Sequence, residues 1–332
     1  MKYNGHIKRN YLIVLSMHNH DYISIIIIGY NTCEQLNILL QSIANQKVDN
    51  LLIEIIYIDD GSSDESFKMF NNFETNHKKI SKKFKENKGR VEATQAGINL
   101  ATGKWLLFIR SNEFLHPNIL NEYSLAIKSN LGLAYMGVVK YECNDKIFLN
   151  YLNSHKRGST SFPCGSFLHY RYLLFNNSLI QHKVFKHLSL NKKFKFYGGE
   201  ELEFAFRLNK KFKNKIISWP SAIVTRSKYP NFRSHCKRLE EFGSTNFLFL
   251  DNQLKKEVIK YNFLLRKNIL IKSVNILMFK ILNKLYIKIK NQNISFYIIR
   301  ACFLSSILKG YYSVSNSPDS KSSIVASSQS SD

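Results

Sequence analysis

Acidic residues are scarce in this 332-residue chain: 24 Asp and Glu stand against 48 Lys and Arg, a formal charge of +24. Such a deficit points to nucleic acid, an anionic membrane or a phosphate-bearing substrate as partner. A compositional bias is the competing reading, because Lys, Asn and Ile are abundant along the whole chain. Cysteine is scarce as well. Cys33, Cys143, Cys164, Cys236 and Cys302 never fall at CxxC spacing, which argues against a zinc ribbon or a disulfide framework and fits a reducing compartment. Long apolar runs are missing: none reaches the roughly 18 residues that mark a membrane span. The run Tyr11–Leu15 is short for a signal-peptide core, and no small-residue cleavage site follows it. A cytoplasmic protein is therefore expected. There is no internal repeat, and no GxGxxG follows the first apolar run, which weakens a dinucleotide-dependent dehydrogenase. No recognition-module signature is found either, and the aromatics sit inside apolar runs, so nucleic acid is not expected as a partner.

What is present is an alternation of two periodicities. Ser24–Ile28, Leu51–Ile58 and Trp105–Ile109 are continuous apolar runs of the kind buried in parallel sheets. Between them, Glu34–Asn45 spaces Leu36, Leu39, Leu40 and Ile43 as one helical face; Ser63–Phe73 and Val91–Leu100 read as further helices. This predicts an α/β doubly wound, mostly parallel sheet flanked by helices. Gly132–Tyr141 and Ile216–Thr225 are strand-like, Gly158–Ser178 mixes loop and strand, and Gly199–Leu208 opens a helix. The expected organisation is a leader over 1–20, a main domain over 21–250 with a nucleotide-binding half (21–117) and an acceptor half (118–250), a basic amphipathic helical extension over 251–312, and a Ser-rich disordered tail over 313–332.

In open α/β sheets ligands bind beyond the carboxyl ends of the strands. Three such ends carry informative residues: Gly29-Tyr30-Asn31, Asp59-Asp60-Gly61-Ser62 and Arg110-Ser111-Asn112-Glu113. Gly29 would admit a ligand close to the backbone and Tyr30 could stack on a base. A carboxylate at Asp59 or Asp60 could accept hydrogen bonds from a base or a ribose, although Asp59 reads first as a strand-end residue that caps the turn.

The ordered set Gly29-Tyr30-Asn31, Gln46, Asp59-Asp60-Gly61-Ser62, Asn87-Lys88-Gly89, Ala101-Thr102-Gly103, Trp105–Ile109 and Pro117 resembles the family 2 glycosyltransferases of GT-A fold. The resemblance is dense over the first third of the chain. It implies an inverting transferase that moves a sugar from a nucleotide sugar, UDP by family frequency, to a hydroxyl of a glycan or lipid-linked acceptor in cell-surface polysaccharide or lipopolysaccharide synthesis. Asp60 would contact the uracil or ribose, Gly29 and Tyr30 would line the base pocket, Asn31 and Asp59 are further nucleotide-binding candidates, and Arg90 would approach the diphosphate.

Two departures from the pattern concern the metal. The family holds Mn²⁺ or Mg²⁺ on a DxD-type acidic pair, which here maps to Arg110 and Asn112; only Glu113, one position on, is acidic. A family His six residues after a late Pro maps, from Pro220, to Arg226. Three readings follow. Arg110 and Arg226, with Arg90, replace the ion by charge-assisted contacts to phosphate; a divalent metal is kept on Asn112 and Glu113; or the chain is an inactive pseudo-glycosyltransferase serving as a nucleotide-sugar-binding or scaffold subunit. Tyr197-Gly198-Gly199-Glu200-Glu201 resembles the family's second signature. It assigns the general base to Glu201, a Glu where Asp is usual, with Glu200 beside it. First-turn acid enrichment is the alternative for both. Glu203 and Arg207, at i,i+4, read as a helix-surface pair, and His235 as a structural His. From Lys255 to Tyr312, short apolar clusters alternate with Lys, which suits either packing on the main domain or a helix lying on an anionic membrane surface, there at the inner face of the membrane.

Overall fold

The structure, a computed structural model, describes residues 21–47, 51–266, 268–288 and 291–314. The expected leader (1–20) and all but the first two residues of the expected tail lie outside the described residues.

One eight-stranded sheet runs through the chain in the order β3-β2-β1-β4-β7-β6-β8-β5. Its strands are β1 (Asp21–Gly29), β2 (Leu51–Asp59), β3 (Lys78–Lys83), β4 (Trp105–Arg110), β5 (Glu113–Leu115), β6 (Ala134–Tyr141), β7 (Ser178–Gln181) and β8 (Ile216–Arg226). The first four pair in parallel, β6 and β8 pair in parallel, and β7 and β5 run against their neighbours. The sheet crosses the 117/118 boundary without interruption, so the two expected halves share one structural layer.

The apolar runs are strands for the reason anticipated. In β1 and β2 the residues Ile25, Ile26, Ile27, Ile55, Ile56 and Tyr57 are fully buried, alternating between two core clusters on opposite faces of the sheet. On one face α1 (Cys33–Ala44) buries Leu36, Leu39, Leu40 and Ile43. On the other lie α3 (Arg90–Leu100) and, further along, α7 (Glu200–Lys211), whose Phe204, Ala205 and Leu208 join the same core. The remaining helices of this part are α2 (Ser66–Asn72), α4 (Ile119–Ser129), α5 (Lys146–Leu152) and α6 (Lys183–His187). Three strands are not apparent from hydrophobic pattern: β3 is a Lys-rich edge strand, β5 has three residues, and β7 has four.

After β8 the chain is helical: α8 (Phe232–Ser244), α9 (Asn252–Ile259), α10 (Ile269–Lys288) and α11 (Gln292–Ser313). The two long terminal helices behave differently. Among the described residues α11 contains the one stretch long and apolar enough to cross a membrane by length and composition, yet half of that window is buried in the protein. It packs against α8 at very short range: a Cβ on Gly243 would fall on the Ile307 carbonyl, and one on Gly310 on the Glu240 carbonyl. By contrast α10 buries Asn275, Leu282 and Tyr286 and leaves most of its apolar residues exposed.

Candidate active site

The carboxyl ends of β1, β2 and β4 meet where the strand order reverses. The Asp60 N–H donates to the Gly29 carbonyl (2.9 Å) and the Ser111 N–H to the Ile28 carbonyl (3.2 Å). Side chains then tie the loops together. Ser62 Oγ accepts the Asn31 N–H (2.9 Å), and Asn31, at φ 51°, accepts the Ser63 N–H on its own Oδ1 (2.9 Å). Asp64 accepts the N–H of Cys33, the first residue of α1, at 3.0 Å. The Asp-Asp-Gly-Ser segment is therefore a cross-braced turn.

Its two aspartates differ. Asp59 is fully buried; its Oδ1 accepts the Ser62 N–H at 2.6 Å and its Oδ2 faces the Tyr57 hydroxyl at 3.4 Å, so the structure places it in the turn-capping role. Asp60 accepts the Lys88 N–H at 2.8 Å. Burial pushes its carboxyl above the usual range, opposed by the Lys88 and Gly89 amides. Gly29 also leaves room inside the protein: a Cβ there would sit 2.7 Å from the Tyr57 hydroxyl. Tyr30 and Asn31 are exposed at the rim. Gln46 bridges helices, donating to the Ser42 and His116 carbonyls at 3.0 Å each.

The charged centre lies beside this turn. The N-terminus of α7 brings Glu200 and Glu201 to the ends of α3 and β4. There Arg90 Nη2 meets Glu200 Oε1 at 2.6 Å, and Arg110 Nη2 meets Glu201 Oε1 at 2.5 Å. The same Glu201 oxygen accepts the Phe175 N–H at 3.2 Å. Gly198 and Gly199, at φ 82° and 90°, make the turn that aims both glutamates inward. Burial raises the Glu200 carboxyl's pKa, with Arg90 opposing. Burial also acts against the Arg110 charge, but Glu201, Glu113 and Glu200 outweigh it and hold the guanidinium above the ordinary arginine value.

Glu113 and Arg226 face each other across the β5–β8 pairing. Glu113 is almost wholly buried; its Oε2 accepts the Arg110 N–H at 2.8 Å and its Oε1 has no hydrogen-bond partner. Burial raises its pKa while Arg226 and Arg110 oppose that. Asn112 is turned toward the Ser227 carbonyl at 3.5 Å. A Mg²⁺-type ion is held by one or two carboxylates together with substrate phosphates and water. The carboxylate on offer here, Glu113, is buried between two guanidiniums, whose charge opposes a cation there.

Three aromatic residues of this centre are not evident from the sequence as site residues. Tyr197 lies under the guanidiniums of Arg90 (5.2 Å) and Arg238 (5.5 Å), and Tyr229 under Arg226 (5.1 Å). Tyr141 pairs in register with Arg226. The signal for Tyr197 was its place before the diglycine. His235 is enclosed by Phe148 and Phe303 and bonded to the Tyr229 hydroxyl (3.2 Å); burial, with Arg157, Arg238 and Arg226 nearby, pushes its pKa down to about 3. Glu203 and Arg207 form the expected i,i+4 pair (2.7 Å). Asn177 is a buried hub, accepting the Tyr123 hydroxyl and donating to the Val138 and Ala222 carbonyls across the β6 bulge.

The mostly parallel eight-stranded sheet, with its braced turn at the switch point, has the GT-A architecture. The family model of Glycosyl transferase family 2 matches residues 24–190, and the chain belongs to that family and is a glycosyltransferase. EpsH of Bacillus subtilis (strain 168) is 34% identical over 103 residues, which cover 29% of this chain and only 27% of EpsH. A PGL/p-HBAD biosynthesis glycosyltransferase of Mycobacterium bovis (strain BCG / Pasteur 1173P2) is 25% identical over 236 residues, 71% of this chain and 83% of that protein. Among solved structures, S. aureus TarS 1–349 superposes with TM-score 0.51 at 16% identity over 88% of this chain and 91% of its own, a likeness of fold. A structure of the same protein in complex with UDP-GlcNAc gives the same TM-score at 13% identity.

Proposed function

We propose that the protein transfers a sugar from a nucleotide sugar, UDP-linked in the first instance, to a hydroxyl of a glycan or lipid-linked acceptor with inversion, in cell-surface polysaccharide or lipopolysaccharide synthesis. The observation that carries the reading is the Arg110–Glu201 contact, which sets a carboxylate and a cation side by side at the carboxyl edge of the sheet. Glu201 takes the proton of the acceptor hydroxyl as that oxygen bonds to the anomeric carbon. The bond from the anomeric carbon to the diphosphate breaks, and its electron pair stays on the leaving phosphate oxygen. Arg110, Arg226 and Arg90 supply the positive charge that stabilises the leaving diphosphate, the task a divalent ion performs elsewhere. Asp60 and Tyr30 hold the base and ribose. The UDP-GlcNAc complex of TarS supports the choice of nucleotide.

A donor-hydrolysis screen across nucleotide sugars, with and without Mn²⁺, tests this. Turnover of one donor is expected. Tight binding of a donor with no turnover in either condition would instead establish the pseudo-glycosyltransferase reading.

The exposed face of α10 supports a second element of the proposal, attachment to the cytoplasmic face of an anionic membrane. Leu270, Val274, Leu277, Ile281 and Leu285 form one exposed helical stripe. From residue 258 to 314 the chain has ten Lys or Arg and no Asp or Glu. An apolar stripe in a purely cationic segment matches an interface of acyl chain and anionic headgroup. Flotation with phosphatidylglycerol vesicles should carry the intact chain and release the variant Leu277→Glu/Ile281→Glu; equal flotation of both would remove the membrane from the account.

A further inference from the structure

A cavity of about 850 Å³ lies between the end of β6, residues 151–160, residues 171–174 and α11. Its lining contains six basic residues, Lys140, Lys156, Arg157, Arg171, Lys260 and Arg300, and no Asp or Glu. None of the six forms a salt bridge among the described residues. Arg157 stacks on Tyr151 at 4.5 Å and donates to the Leu152 carbonyl, and Arg171 donates to the Glu257 carbonyl at 3.3 Å. The Glu257 carboxylate, near Arg171, accepts the Tyr170 hydroxyl and keeps its charge. Arg157 is held by neutral partners, and six cations share a lining that has no Asp or Glu.

The cavity adjoins the catalytic centre. Leu174 lines it, and the next residue, Phe175, gives its N–H to Glu201. Tyr141 lines it and pairs in register with Arg226, which faces Glu113 on its other side. Like charges in a concave site with apolar walls focus the field and attract anions. A guanidinium fork matches a phosphate better than any neutral group. Six cations call for a ligand with more than one negative charge, and Tyr151, Tyr172, Phe296 and Phe303 offer it apolar surface.

We propose that this cavity is the acceptor site and that it selects an acceptor bearing phosphate, either a diphosphate-linked lipid or a polyol-phosphate chain, over a neutral glycan. The proposal rests on the glycosyltransferase reading of the adjoining centre, from which it takes the role of Glu201. The test is calorimetry on the full chain with the donor site saturated by UDP. The probes are farnesyl diphosphate and a short glycerol-phosphate oligomer, each against a neutral counterpart, farnesol and a glycerol oligomer. At least one phosphate probe should bind, the neutral ones should bind far more weakly, and Arg157→Gln/Arg171→Gln should weaken phosphate binding by about tenfold or more while UDP affinity is unchanged. Whichever phosphate probe binds identifies the source. Lys156→Gln/Lys260→Gln, two exposed side chains, provides the same comparison if the arginine pair is needed for folding. Phosphate probes that do not bind, bind no better than the neutral ones, or bind the variants equally would overturn the proposal while UDP binding left the donor reading standing. Phosphate probes bound in a protein that takes no UDP would overturn the donor reading and leave the cavity as an anion site.

Discussion

Arg110 Nη2 and Glu201 Oε1 stand 2.5 Å apart, joining the last residue of β4 to the first turn of α7 across 91 positions of sequence. The contact occupies one carboxylate oxygen and leaves the other to receive a proton. Replacing Glu201 with Gln keeps the shape and the contact to the Phe175 amide but removes the base. The rate of sugar transfer should fall by about a hundredfold to ten-thousandfold, in line with loss of a general base, with UDP affinity unchanged by calorimetry. Full turnover by Glu201→Gln would remove the residue from the mechanism.

The Arg110 fork is also what a lysine cannot reproduce. Arg110→Lys retains the charge and loses the planar pair of donors, so transfer should drop by about ten- to a hundredfold. Donor KM should rise along with it. Unchanged KM with lowered kcat would show that Arg110 makes its contribution only in the transition state, and full transfer by Arg110→Lys would remove its fork from the mechanism.

His235 gives the fold a pH dependence. Its folded pKa of about 3 lies below the unfolded value, so the unfolded chain binds a proton that the native one refuses. Stability contributed by the neutral ring is present above the unfolded pKa and is lost as pH falls from there toward 3. Between pH 7 and pH 5 this amounts to about 2 kcal/mol. Urea unfolding at the two values should show that loss in the native chain and a smaller one in His235→Gln; parallel curves would exclude His235 as its source.

The α8–α11 contact depends on glycine. A Cβ at Gly243 meets backbone of the opposite helix, which cannot move aside as a side chain can. Gly243→Ala should cost about 1–3 kcal/mol by overpacking, read as a lower Tm. Unchanged stability would mean that the C-terminal helix is not docked as described.

How much of this was legible in the sequence follows from the physics of each element. The buried strands β1, β2 and β4 announce themselves because both faces are apolar. Strand β3 does not, since it is a Lys-rich edge strand held by pairing and by Lys79 and Ser81 bonding to α2. The ends of β1, β2 and β4 were readable as a site because motif spacing carries them, and Glu200 and Glu201 because they follow a diglycine. Their partners were not readable. Nothing local links Arg90 to Glu200 or Arg110 to Glu201, contacts that exist only once α7 is laid over the sheet. The structure adds detail to three local readings: Asp59 serves the turn, Gly29 leaves room for Tyr57, and α11 is a docked helix while α10 keeps the exposed face. The basic cavity was hidden most completely, because its six cations come from five separate segments.

In the proposed mechanism Arg110, Arg226 and Arg90 supply the charge for the leaving diphosphate in place of a divalent ion. The direct measurement is the rate of sugar transfer after exhaustive chelation with EDTA, followed by addition of Mn²⁺. The account predicts a rate that EDTA does not reduce and Mn²⁺ does not raise. Loss of transfer in EDTA with recovery on Mn²⁺ would contradict it and return the metal to Glu113 and Asn112.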